Sequence, residues 1–264
     1  MTEDPRFGGV PEPCEDARLG EPPLALYVHL PWCVRKCPYC DFNSHEMRGA
    51  LPADDYIDAL LRDLELELPL VWGRVVRSVF LGGGTPSLFG ARPIDRLLSG
   101  IRSRLTLAPD AEITLEANPG TIEHDSFTAY RSAGVNRVSL GVQSFDDALL
   151  ARIGRIHGRA EAVAAVESLA ASGIDNFNLD LMYALPGQGV AQAEQDLRTA
   201  LSFAPPHVSH YQLTIEPNTL FHRHRPDVPD DDPLLDPLPG QSQAPAVQDH
   251  GDARLGSIVC ERYE

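Results

Sequence analysis

Cys33-Val34-Arg35-Lys36-Cys37-Pro38-Tyr39-Cys40, followed directly by Asp41-Phe42, places three thiols within eight residues. So short a span holds one metal centre rather than a disulfide framework. Positions 33, 37 and 40 would share a helical face, but Pro38 removes a backbone donor and clashes with the preceding turn. The stretch therefore reads as a loop that wraps its thiolates around something. Soft thiolate clusters select zinc or iron-sulfur. Zinc would take Cys33, Cys37 and Cys40 with His45 or His29 as a Cys3His set. A four-iron cluster normally takes four cysteines, so three would leave one iron open to a ligand from outside the protein. Spacing alone leaves both open.

The elements around the loop set the fold class. Residues 24–30 (LALYVHL) read as a strand that ends at Pro31, just before the first thiol. A helix is expected over 53–68, with Ile57, Leu60, Leu61, Leu64 and Leu68 at helical spacing and Pro69 as its stop. Further strands are expected at 75–81, 112–117, 137–142, 176–182 and 207–214. Helices fall between them, one from near Pro93 and others over 125–133, 159–172 and 192–203. Six strands alternating with helices predict right-handed β-α-β units and a parallel sheet. Asn176, Asn178 and Asp180 oppose Phe177, Leu179 and Leu181, and His210, Gln212 and Thr214 oppose Tyr211, Leu213 and Ile215. One polar and one apolar face suit a curved sheet with a ligand in its hollow. The expected fold is α/β, a partial (β/α)6 barrel of TIM-like form over 24–221. Residues 1–23 and 222–264, rich in proline and without periodicity, are expected to be disordered, apart from a short strand around Ile258.

Composition narrows the function. A formal charge of −16 over 264 residues disfavours a general binder of nucleic acid or anionic membrane. No apolar run approaches the length of a membrane span, and the acidic, proline-rich start has no signal-peptide pattern. Five cysteines, three of them clustered, fit a reducing compartment and the cytoplasm as the default location.

Unusual residues recur where barrels of this kind carry their chemistry, at the carboxyl ends of strands. Gly82-Gly83-Gly84-Thr85-Pro86-Ser87 follows the second strand. It is a tight turn, or a place where backbone approaches a polar ligand. Glu116 closes the third strand and suits a ribose diol, or an ion pair with a neighbouring arginine. Gln143 follows the fourth strand, as a core amide or a second group on the same sugar. Arg155 would neutralise a ligand carboxylate, or lie free on the surface. Asp180 lies late in the fifth strand. Together these groups describe a site for a nucleoside that carries an amino acid.

The motifs Tyr27-Val28-His29-Leu30-Pro31-Trp32-Cys33, Gly82 to Ser87, Leu115-Glu116-Ala117-Asn118-Pro119, Gly141-Val142-Gln143-Ser144-Phe145 and Asn178-Leu179-Asp180-Leu181-Met182 resemble the radical S-adenosylmethionine (SAM) superfamily. The match is to its coproporphyrinogen-dehydrogenase-like group, and it makes zinc a remote alternative. The resemblance implies that Cys33, Cys37 and Cys40 hold a [4Fe-4S] cluster whose open iron takes the SAM amino and carboxylate groups. It implies SAM contacts at Tyr27, Tyr39, Gly83, Gly84, Thr85, Glu116, Gln143, Arg155 and Asp180. An electron entering the SAM carbon-sulfur bond would release methionine and a deoxyadenosyl radical.

Two branches of that group differ in class. The dehydrogenase oxidatively decarboxylates coproporphyrinogen III, carries a longer N-terminal extension, and usually has a fourth cysteine two residues beyond the third. This chain has Phe42 there. It thereby resembles the heme chaperone branch (HemW type), which implies heme as cargo, a hemoprotein acceptor as partner, and room for a homodimer. Tyr211-Gln212-Leu213-Thr214-Ile215-Glu216-Pro217-Asn218-Thr219 resembles that branch too. The branch continues through a C-terminal region with a His-Asn-x-x-Tyr-Trp heme motif, whereas tryptophan occurs here only at Trp32 and Trp72. The likeness fades after Asp232, and the expectation is either a truncated chain with a foreign end or an out-of-frame reading of the tail.

Overall fold

The structure, a computed structural model, describes residues 22–121 and 126–228. The expected disorder over 1–21 and 229–264, the strand around Ile258 and the helix start at Asp125 lie outside these residues.

The strands are β1 (Leu24–Leu30), β2 (Trp32–Cys33), β3 (His45–Glu46), β4 (Val75–Gly83), β5 (Thr106–Ala117), β6 (Arg137–Gln143), β7 (Asn176–Tyr183) and β8 (His207–Gln212). The helices are α1 (Ala53–Glu67), α2 (Ala91–Arg102), α3 (Phe127–Ala133), α4 (Asp147–Arg152), α5 (Arg159–Ala171), α6 (Val190–Ser202) and α7 (Leu220–Arg223). Six strands form one sheet in the order β1-β4-β5-β6-β7-β8, and every neighbouring pair is parallel. β2 and β3 pair separately and brace the cysteine loop between them. Parallel neighbours need long crossovers, and helices fill those crossovers.

Alternation along each strand sorts its side chains. Leu81, Leu115, Leu140 and Leu179 sit on adjacent strands, are fully buried, and join Ile57, Ile94, Leu98 and Leu169 of the helices in one core. Each such side chain contributes roughly 1.5–3 kcal/mol by leaving water. The opposite face of β4 to β8 presents Phe80, Glu116, Ser139, Asn178, Asp180, Ser209 and Tyr211 to a common cavity. A sheet whose one face encloses a hollow is curved, and β1 and β8 are its two edges. This is the expected partial (β/α)6 barrel.

Local chemistry sets the element ends. Asp54 and Asp55 occupy the first turn of α1, where the helix dipole favours negative charge. Pro69 ends α1 at Glu67 and converts Leu68–Leu70 to a 3-10 turn. Ser126 caps α3 by accepting from Ala129 N, and Gly134 closes it at φ 106°.

Several boundaries differ from expectation. Gly82 and Gly83 belong to β4 itself, and Gln143 is the last residue of β6. β5 begins at Thr106 rather than 112, with a register shift against β4 between Val76 and Ser78. β8 ends at Gln212 instead of 214. Helix α4 was not expected, because its six residues are too few to show a period; its signal is Asp146, which accepts from Ala148 N and Leu149 N. Around β8 the polarity departs from expectation in part, since Gln212 and Thr214 line the hollow as expected but Tyr211 of the opposite face lines it too. Ser209 and Tyr211 face the hollow, while the ring of His210 lies 4.8 Å from that of Tyr183.

Candidate metal cluster and ligand site

The cysteine loop is fastened on several sides. Gly84 N donates to Leu30 O at 2.9 Å and Thr85 N to Trp32 O at 2.8 Å, so the glycine turn is bonded to the chain entering the loop. A Cβ on Gly84 would stand 2.6 Å from Trp32 O, and only glycine allows that approach. Within the loop Cys40 N donates to Cys37 O at 3.1 Å, and across it Met47 N donates to Cys33 O at 2.9 Å. Phe221 N donates to Pro38 O at 3.0 Å, with the Phe221 ring tilted on Tyr39 at 6.4 Å.

Cys33, Cys37 and Cys40 are free thiols that line the same cavity of about 690 Å³. Each sulfur has a polar neighbour. Thr85 Oγ1 lies 3.7 Å from Cys33 Sγ, Arg155 Nη1 3.6 Å from Cys37 Sγ, and Ser44 Oγ 3.8 Å from Cys40 Sγ. Burial pushes the Cys33 thiol up, opposed by hydrogen bonds from Thr85 and Ser44. Neither histidine of the zinc sets joins the thiols. His29 is bonded through Nε2 to Asn43 O at 2.8 Å and through Nδ1 to Tyr27 Oη at 2.9 Å, and His45 is exposed. Among the described residues no group of three or more His, Cys, Asp or Glu side chains is arranged to hold a metal ion. Three thiols at the rim of a roomy cavity, with polar groups at the sulfurs, fit a larger inorganic cluster.

The groups expected around an organic ligand meet the thiols in that cavity. Gly83, Gly84, Thr85, Glu116, Gln143, Arg155, Asp180 and Tyr39 all line it. Tyr27 does not; it is 56% exposed, with its ring stacked on Phe80 at 6.2 Å. Glu116 Oε2 accepts from Gly83 N at 3.1 Å, and burial pushes its carboxyl up to about 7, helped by the charge of Asp180. Burial also raises Asp180, against hydrogen bonds from Ser139, Ser209 and Asn178. Burial holds the Tyr39 phenol far above its ordinary value.

Gln143 adopts φ 65°, a left-handed conformation uncommon outside glycine. Its Nε2 lies 3.5 Å from Tyr211 Oη, and its buried Oε1 has no partner. Arg155 Nη2 donates to Gly141 O at 2.8 Å and to Asn118 Oδ1, and its Nε is likewise buried without a partner. Orphaned polar atoms around a cavity of ligand size mark a site built to be filled. The sequence reading missed Asn118, Ser139, Asn178, Ser209 and Tyr211 as site residues. Asn178 was placed on the polar face of its strand, which was the available signal.

Fold and site together define an open parallel β/α barrel whose hollow is lined by three free thiols beside a set of buried polar groups. The family model of the radical SAM superfamily matches residues 27–200. The chain belongs to that superfamily, which implies a [4Fe-4S] cluster and SAM. It is 56% identical over 215 residues to the heme chaperone HemW of Escherichia coli, covering 81% of this chain and 57% of that protein. It is 53% identical over 219 residues to the HemW of Haemophilus influenzae, again covering 81% and 57%. The solved structure of E. coli coproporphyrinogen III oxidase HemN, described as a radical SAM enzyme, superposes with a TM-score of 0.78 at 29% identity. That likeness covers 92% of this chain and 54% of HemN. The chain thus spans a little over half the length of these relatives.

Proposed function

We infer that this chain is the radical SAM part of a heme chaperone, which binds heme and passes it to a hemoprotein. The observation that carries this reading is Phe42. It stands two residues past Cys40, lines the cavity, and is 61% exposed, where the related dehydrogenase usually has a further cysteine. The names of the relatives at 56% and 53% identity support it.

In this reading Cys33, Cys37 and Cys40 hold the cluster. Gly83, Gly84 and Thr85 offer backbone carbonyls to the SAM amino group, their N–H groups being already bonded to Glu116, Leu30 and Trp32, and Arg155 would take its carboxylate. Glu116, Gln143 and Asp180 take the sugar. When bound and reduced by an external one-electron donor, the cluster would supply an electron to the SAM carbon-sulfur bond. The chain's own contribution is to orient that bond and to keep water from the hollow. Free thiols at all three described cysteines suit a reducing compartment, and we place the protein in the cytoplasm. Among the described residues no helix is long and apolar enough to cross a membrane.

Heme titration of the reconstituted protein, beside an assay of coproporphyrinogen turnover with SAM and a reductant, tests the reading. Heme binding without turnover is expected. Turnover would replace the chaperone with the dehydrogenase, to which the HemN superposition belongs.

A further inference from the structure

We propose that Asn118 is a positioning residue that fixes the direction of the hydrogen bond at Cys33 and anchors the donor at Cys37, and through these two thiols sets the electron affinity of the group they hold. This rests on the cluster reading above. Asn118 follows β5 and lies between two groups that touch sulfur. Its Nδ2 is 2.9 Å from Thr85 Oγ1, and its Oδ1 accepts from Arg155 Nη2. A guanidinium carries only donors, so the amide oxygen must face Arg155 and the amide nitrogen must face Thr85.

That orientation has a consequence one bond further on. The Thr85 hydroxyl has one proton. With its oxygen accepting from Asn118, the proton is directed to Cys33 Sγ, 3.7 Å away. On the other side, the Arg155 guanidinium anchored by Asn118 sets Nη1 3.6 Å from Cys37 Sγ. One side-chain amide therefore orders the contacts at two sulfurs that lie four residues apart in the loop.

The surroundings are shaped for it. A Cβ on Gly141 would lie 2.7 Å from Asn118 Oδ1, so β6 leaves a gap where the amide stands. A void of about 20 Å³, bordered by Cys37, Thr85, Asn118 and Arg155, lies beside these contacts, in addition to the main cavity that the same residues line. The void has room for about one water, and at partly buried groups the direction of a hydrogen bond carries more weight than in solvent. Donors aimed at thiolate sulfur stabilise the more negative, reduced state of a cluster and raise its potential.

The test is an EPR-monitored redox titration of the anaerobically reconstituted full chain, after its iron and sulfide have been measured. In Asn118→Asp the new carboxylate accepts from both neighbours and draws the Thr85 proton away from Cys33, so the midpoint potential is expected to fall. Thr85→Val is expected to lower it too, and Thr85→Ser to leave it near wild type. Asn118→Asp in the Thr85→Val background should lower it less than in wild type, because the part that runs through the hydroxyl is already gone. If Asn118→Asp does not take up cluster, the same cycle is run with Asn118→Ala. Equal shifts in both backgrounds, or no shift in any loaded variant, overturn the proposal. Wild-type protein with neither iron nor sulfide overturns the cluster reading, and the proposal with it.

Discussion

Glu116 on β5 reaches across to the neighbouring strand and accepts the backbone N–H of Gly83 at 3.1 Å. The hydrogen bond favours the carboxylate, yet burial prevails and the group titrates at about 7 instead of 4.5. A carboxyl whose folded pKa is raised keeps its proton over a range in which the unfolded chain has lost it, so stability falls as pH rises through that range. For Glu116 the range runs from about 4.5 to about 7, with a total of ~3 kcal/mol at 1.36 kcal/mol per unit. Glu116→Gln removes the ionisation. Urea denaturation of the apo-protein should show the variant gaining on wild type as pH rises from about 4.5 to about 7; parallel pH profiles would refute the assignment.

Arg155 is expected to hold the SAM carboxylate by a charge-assisted contact. Arg155→Ala and Glu116→Ala should each weaken SAM binding about 10- to 100-fold, the equivalent of 1.5–3 kcal/mol for hydrogen bonds to charged groups. Iron and sulfide content should remain, since both substitutions only remove side-chain atoms and push nothing against the three thiols. Calorimetric titration with SAM checks it, and unchanged affinity in both variants would remove these contacts from the site.

Asp196 of α6 clamps the turn that follows Gln143. It accepts from Ser144 Oγ at 2.6 Å and from Phe145 N at 2.7 Å, all three groups being buried. Asp196→Ala leaves two buried donors unmatched, and a loss of about 2–4 kcal/mol is expected in urea denaturation at neutral pH. The turn also carries the strained φ of 65° at Gln143, so SAM affinity should fall along with stability. A loss below about 0.5 kcal/mol, the usual limit for surface changes, would show that the clamp is slack.

The fold was legible because its signals are local. β1 was bounded to the residue by its apolar run and Pro31, and α1 to within one residue by the spacing around Ile57 and by Pro69, ending at Glu67 instead of Leu68. The cysteines and the strand-end groups carried the site for the same reason. Asn118 was legible only as a member of the motif Leu115-Glu116-Ala117-Asn118-Pro119, since its partners lie 33 and 37 residues away in the chain. Only folding brings Thr85 and Arg155 to either side of it. Tyr211 was misplaced because tyrosine is apolar in body and polar at its tip. Alternation assigned it to the core, whereas its hydroxyl stands beside Gln143 in the hollow.

Gly154 supports the cysteine loop from outside it. It lies next to Arg155 at φ 72°, and a Cβ there would stand 2.6 Å from Pro38 Cδ, between Cys37 and Cys40. Gly154→Ala therefore combines two effects, left-handed strain of roughly 1–2 kcal/mol and a push against the loop. Gly73 separates them. It has φ 79° with nothing within 4 Å of its would-be Cβ, so Gly73→Ala carries the strain alone. Both variants should lose comparable stability from strain, with a further loss in Gly154→Ala. Only Gly154→Ala should also take up less iron and sulfide on reconstitution, because Pro38 moves the thiols on either side of it. Equal cluster content in the two variants would mean that the loop yields freely, and that its geometry is set by the bonds to Trp32, Cys33 and Phe221 instead.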